Sequence, residues 1–195
     1  MVLNGVVLQD SVRKAIVSTL SHSLADAQRN PGLTRLGLGL AVAKIREELG
    51  LSHKELARRA QIERSKIAKA EHAGLRPDCD NEAIVFAKIA RGFGLNEAEI
   101  SSLVKLYIGI NTHNHDLGIE IRRARIVAGF SVGDLAHLTG MRREDLKAIE
   151  SGELPIDHNI SDEGIRIGKN NAISLQEFLN LGDIHLEELL RPHTY

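Results

Sequence analysis

LSHKELARRAQIERSKIAKAEHA, residues 51–73, decides the fold. Two short helical patterns lie in it, about one turn apart. Ser52 stands three residues before Glu55, the S-x-x-E of a capping box, so a helix is predicted to start there. Leu56 and Ala57 supply its buried side. Gln61-Ile62-Glu63 is too short a connection to let two helices lie flat together. A second helix is predicted from Arg64. Ile67 and Ala70, three apart, share its inner face, which leaves Arg64, Ser65, Lys66, Lys69 and His72 outward. A short helix, a tight turn and a second helix with a basic polar face is the arrangement a DNA-reading helix-turn-helix requires.

Residues 130–152, FSVGDLAHLTGMRREDLKAIESG, repeat this stretch without a gap at an offset of 79 positions. Ser52 falls on Ser131, Leu56-Ala57 on Leu135-Ala136, Ile62 on Met141, Arg64 on Arg143, Ile67 on Leu146 and Glu71 on Glu150. Upstream, Leu38-Gly39 falls on Leu117-Gly118, Arg46 on Arg125 and Gly50 on Gly129. A period this long is domain-sized, so the chain is predicted to hold two copies of one fold and not a solenoid.

These residues resemble the Cro/repressor (XRE-type) helix-turn-helix family. Its pattern is an Arg-bearing first helix, then G-L-S-x-x-x-L-A, a short turn, and x-x-x-I-x-x-x-E-x-G. Copy one carries Arg46, Gly50-Leu51-Ser52, Leu56-Ala57, Ile67, Glu71, Gly74 (late by one residue) and Pro77. Copy two carries Arg122, Arg125, Gly129-Phe130-Ser131, Leu135-Ala136, Gly140, Leu146, Ile149, Glu150 and Gly152. The resemblance covers roughly 38–106 and 117–190. It implies an all-α chain of two tandem lambda-repressor-like domains with an extra N-terminal helix. The division is 1–36, amphipathic helix and connection; 37–110, first domain; 111–116, linker; 117–195, second and divergent domain.

Composition agrees with small helical bundles. Aromatics are 3% of the chain and Trp is absent, so the cores must be aliphatic. No apolar run reaches the roughly 18 residues of a membrane span. MVLNGVVLQD at the start lacks a basic flank and is too short for a signal peptide. Cys79 is the single cysteine, which excludes an intrachain disulfide and fits a reducing cytoplasm. The family resemblance likewise implies a bacterial or phage-encoded cytoplasmic protein. Charge is uneven. Residues 1–116 hold 16 Lys+Arg against 13 Asp+Glu, whereas residues 117–195 hold 9 against 13. Within 38–77 nine basic residues face five acidic ones, so the basic excess lies where a DNA-facing surface would be.

Along the chain, Val12, Ile16, Leu20 and Leu24 recur every four residues in 11–28 and predict an amphipathic helix. It either packs back on the first domain or dimerises. Asn30-Pro31-Gly32 ends it. Helix 1 of the first domain is predicted over 37–49, with Leu40, Val42, Ile45 and Leu49 inward. A fourth helix is predicted over 81–91, with Ile84, Val85, Ala87, Lys88 and Ile89 at its buried boundary. Asn96 should cap a fifth over 97–109, with Ile100, Leu103, Val104 and Tyr107 inward. His113, His115 and Asp116 lie in a polar linker without a second ligand cluster, so no metal is expected. Helix 1 of the second domain is predicted over 117–128. Gly164 and Gly168 predict an irregular fourth element, and Ser174 with Glu177 a capping box before Leu175, Phe178 and Leu179. Asp183 is expected to cap a last turn over 184–190.

The resemblance implies a reading helix in the major groove and a preceding helix aimed at phosphate. Carried over by position, the DNA-binding candidates are His53 (where the family often has Gln), Lys54, Arg58, Arg59, Arg64, Ser65, Lys66, Lys69 and His72. Arg and Lys pair with guanine O6 and N7; Lys54, Arg58 and Arg59 suit phosphate. Copy two offers Arg142, Arg143, Lys147 and Ser151. It also has Val132 at the start of its positioning helix, and Glu144 and Asp145 match Ser65 and Lys66. Carboxylates there oppose phosphate. The chain is thus expected to be a sequence-specific transcriptional regulator of double-stranded DNA. A homodimer is expected, through 11–28 or 174–190. The alternative is a protein-interaction module, antiactivator or antitoxin-like, with the second copy binding a protein partner. No phosphate loop, metal cluster or nucleophilic triad is written, so neither enzyme activity nor a cofactor is expected.

Overall fold

A computed structural model describes residues 8–29, 31–75, 79–108 and 117–151. Regular structure among them is entirely helical, and none of these helices is long and apolar enough to cross a membrane. The chain divides into two compact units, Met1–Asn111 and Thr112–Tyr195.

The first unit contains α1 (Asp10–Arg29), α2 (Pro31–Glu48), α3 (His53–Ala60), α4 (Arg64–Ala73), α5 (Asp80–Gly92) and α6 (Glu97–Tyr107). Local signals start several of these. The Ser52 hydroxyl accepts the Glu55 amide at 3.1 Å, and Asn96 and Glu99 exchange both bonds of a capping box. The core is aliphatic with one stacked aromatic pair. Leu56, Ile67, Ile89, Ile100 and Leu103 are fully buried, and the Phe86 and Tyr107 rings lie 4.9 Å apart. Each such side chain contributes roughly 1.5–3 kcal/mol by leaving water. These contacts set α3 and α4 on a scaffold of α2 and α5.

The second unit contains α7 (Leu117–Ala128), α8 (Val132–Thr139) and α9 (Arg143–Glu150). Ser131 and Asp134 form a complete capping box on α8. Ile121, Leu135, Ala136 and Leu146 make the core, with Phe130, Met141 and Ile149 packed partly buried against it. The expectations for His113, His115 and Asp116, and for everything from residue 152 onward, lie outside the described residues.

Both units use a glycine to bring two backbones together. A β-carbon on Gly39 of α2 would lie 2.6 Å from the Ala70 carbonyl oxygen and 2.8 Å from that of Glu71, on α4. One on Gly118 of α7 would overlap the Ile149 carbonyl oxygen of α9. No side chain fits either crossing.

That crossing corrects one expectation. Leu40 is 65% exposed and not inward, and Leu36 beside it is 56% exposed. The face of α2 that meets its neighbours runs through Leu38, Gly39, Ala41, Val42, Ile45 and Arg46. Leu36 and Leu40 fall on the far side. α2 also begins at Pro31, six residues before the expected start, because proline suits the first turn of a helix. The capping box at Ser52 is only half made, since the Glu55 carboxylate turns to Arg58 and Arg59. On α5 the buried positions are Ala83, Ile84, Phe86, Ala87, Ile89 and Ala90, with Val85 and Lys88 only half-buried. Of the two readings of 11–28, packing back on the first domain is the one the structure bears out. Ile16, Leu20 and Leu24 are buried inside their own unit, where α1 lies on α2 and α6, and Arg13 reaches Glu99 at 3.7 Å.

The turns between the paired helices differ at the residue that takes the left-handed conformation. Gly140 takes the left-handed conformation at φ 68°, where glycine is at ease; the matching Gln61 takes it at φ 53°. A side chain there costs roughly 1–2 kcal/mol, less the flexibility glycine adds to the unfolded chain. Gln61→Gly is therefore expected to stabilise the protein by about 0.5–1 kcal/mol. Gly39→Ala should destabilise it by about 1–3 kcal/mol through overpacking. Urea denaturation checks both; an unmoved or lower midpoint for Gln61→Gly counts against the strain.

Candidate nucleic-acid interface

The site is built from behind. Arg46 on α2 is almost wholly buried, and the burial of a cation requires partners for its donors. It donates from Nε to Glu71 Oε1 at 2.7 Å, from Nη2 to Glu71 Oε2 at 2.9 Å, and from Nη1 to the Leu51 carbonyl at 3.0 Å. One guanidinium thus ties together α2, the turn that precedes α3, and α4. The second unit repeats this. Arg125 donates to Glu150 twice at 2.6 Å and to the Phe130 carbonyl at 3.0 Å. Hydrogen bonding to Glu71 raises the Arg46 pKa further. Burial pushes the Glu71 carboxyl up, but the Arg46 and His53 hydrogen bonds outweigh it and leave the group below its ordinary value of 4.5.

With α4 held by its inner edge, its outer face is bare. Arg64, Lys66, Lys69 and His72 are exposed, and their side chains make no hydrogen bond or ion pair to another described residue. Ser65 is exposed too, and its hydroxyl reaches Glu63 at 3.2 Å. Lys54 near the start of α3 is exposed and equally free of partners among the described residues. The structure brings these six side chains to one helix pair.

The other three candidates are engaged. Arg58 and Arg59 both hold Glu55, with Nε bonds of 3.1 and 2.9 Å. Their hydrogen bonds, Arg58's first, hold the Glu55 carboxyl down at about 2. A phosphate would share these arginines with a carboxylate. His53 turns inward, its Nε2 at 2.9 Å from Glu71 Oε2.

In the second unit one of the three cations on the same face is paired. Arg142 makes a two-pronged pair with Asp145, 2.7 Å on each arm. That contact raises the arginine's pKa and lowers the aspartate's. Arg143 lays its guanidinium over Gly133, in the space where a β-carbon would stand. Ser151 donates to the Ala148 carbonyl at 3.2 Å. Lys147 and Glu144 are exposed, and Val132 packs on the core where the first unit has His53.

No family model, curated protein or solved structure matches this chain. The residues therefore carry the reading by themselves.

Arg46, Glu71, Arg125 and Glu150 stand in the sequence as positions of the repeat, and what the sequence reading lacks is that they form ion pairs. Their signal was present: an Arg and a Glu 25 apart recur in both copies. Glu71→Gln should remove about 3–5 kcal/mol of stability at neutral pH, since it leaves Arg46 buried with its charge uncompensated. Because the folded-state pKa of Glu71 is depressed, its contribution is present above about 4.5 and is lost as pH falls through the lower folded value. The gap between wild type and Glu71→Gln is thus expected to narrow in acid. Denaturation at a series of pH values tests this, and a gap that stays constant argues against the ionised pair.

Proposed function

We propose that the chain is a sequence-specific DNA-binding transcriptional regulator made of two tandem repressor-like helix-turn-helix units. In the first, α3 is the positioning helix and α4 the reading helix. One observation carries this: α4 is pinned along its inner edge, while Arg64, Lys66 and Lys69 stand exposed along its outer face with no counter-charge among the described residues. Unpaired, aligned cations on a rigid helix suit the acceptor-rich major groove, where Arg or Lys pairs with guanine O6 and N7. Lys54 suits a flanking phosphate. Arg58 and Arg59 fit the backbone as well, at reduced strength because Glu55 shares them.

The second unit supports a different reading, a protein-docking module. Its exposed face spends Arg142 on Asp145 and presents Glu144 outward. Those carboxylates disfavour DNA except against cytosine N4. A homodimer fits the regulator reading through residues other than the buried α1 stripe.

Selection of bound sequences from a random DNA pool, at two salt concentrations, tests the proposal. An enriched motif is expected; a folded protein that enriches nothing moves the first unit to protein binding. Arg64→Ala with Lys66→Ala should abolish specific binding, since each base contact contributes roughly 1–3 kcal/mol. Arg143→Ala with Lys147→Ala should cost less. Glu144→Ser with Asp145→Lys should raise non-specific affinity and steepen its salt dependence, because it adds a lysine and also releases Arg142. If the copy-two pair proves the more damaging, the reading unit is the second and not the first.

A further inference from the structure

We propose that Glu63 is a specificity-determining residue, which accepts a hydrogen bond from cytosine N4 within the sequence that α4 reads. This rests on the DNA-binding reading above. Glu63 is the last residue before α4, with extended backbone at φ −68° and ψ 143°. Its side chain is exposed and does not cap the helix backbone. Oε2 instead accepts from the Ser65 hydroxyl at 3.2 Å. Ser65 belongs to the outer face of α4, one helical turn ahead of Lys69. The contact therefore carries the carboxylate round the end of the helix and onto the face that the cations occupy. The first residues of a reading helix are those that meet base edges.

Phosphate repels a carboxylate in this place, and a counter-charge is close at hand. Lys66 stands three residues on. In the second unit Arg142 holds the place of Glu63 and Asp145 that of Lys66, and those two pair with the signs reversed. Yet among the described residues Glu63 makes no ion pair, and the Lys66 side chain has no partner. Both charges stay open on one face. Cytosine is the base that answers an open carboxylate. Its N4 carries two hydrogens, one committed to the base pair and one offered in the major groove, with no acceptor beside it on that base. Oε2 is turned to Ser65, so Oε1 is left to accept that hydrogen. Adenine N6 offers the same donor but sets N7 beside it, and a carboxylate has no hydrogen to give N7. The second unit, with Arg142 here, carries no such acceptor.

The test selects bound sequences from a random DNA pool with the full chain and with its Glu63→Gln variant. A carboxamide both donates and accepts, which suits adenine N6 and N7 together. Wild type is expected to enrich a motif with cytosine at one position, and Glu63→Gln to replace that cytosine by adenine while the rest of the motif stays. Titrated on the two sites, wild type should prefer the cytosine site by about tenfold, and the variant should reverse the order. The variant should also bind random DNA more tightly, since a negative charge leaves the face. An acid at the start of a helix also steadies it, and that role alone would lower the variant's stability without moving the motif. An unchanged motif therefore overturns the inference and leaves the regulator reading standing. A folded wild-type chain that enriches nothing overturns both.

Discussion

A buried guanidinium–carboxylate pair is the constraint on which each unit depends. Its worth lies in geometry more than in stability, because desolvating two charges offsets much of their attraction. Arg46 has donors in a fixed planar fork, and the fork admits one arrangement of Glu71 and the Leu51 carbonyl. α2, the entry to α3 and α4 can then meet in one way only. The glycine crossing acts with it. Gly39 lets α2 approach the C-terminal end of α4 closely enough for the Arg46 side chain to span the gap.

Much of this was legible in the chain. Ser52, Ser131 and Asn96 marked helix starts that the structure keeps, and Leu56, Ala57, Ile67 and Leu135 are buried as their spacing required. The failures share a cause. Leu40 is as apolar as Val42, and periodicity alone does not say which of two stripes on a leucine-rich helix finds a neighbour. The stripe of α1 had the opposite ambiguity, since an apolar face looks the same whether its partner is the same chain or another. The ion pair spans 25 residues, beyond the reach of any local pattern.

The candidate site was legible as a set of residues but not as a set of free charges. Arg58, Arg59 and Arg142 read as cations on exposed faces; Arg58 and Arg142 are exposed and Arg59 is half-buried. Each has nonetheless closed on a carboxylate three or four residues away. What separates the units is therefore how much of that charge remains unspent on frames that are internally alike. The first keeps Arg64, Lys66 and Lys69 open on α4, whereas the second has drawn Arg142 into a pair on α9.

The triple grip of Arg46 also bears on the entropy of recognition. A helix of ten residues is marginal by itself in water, and a partner that had to order α4 on contact would set that ordering against its own affinity. Here the ordering is completed during folding. The backbone of α4 cannot fray from its C-terminal half without breaking a bond that also fastens α2 and the turn before α3, so the three loosen together or not at all. Whatever docks on the outer face meets a surface whose backbone is already set, and only the long side chains of Arg64, Lys66 and Lys69 remain to be immobilised.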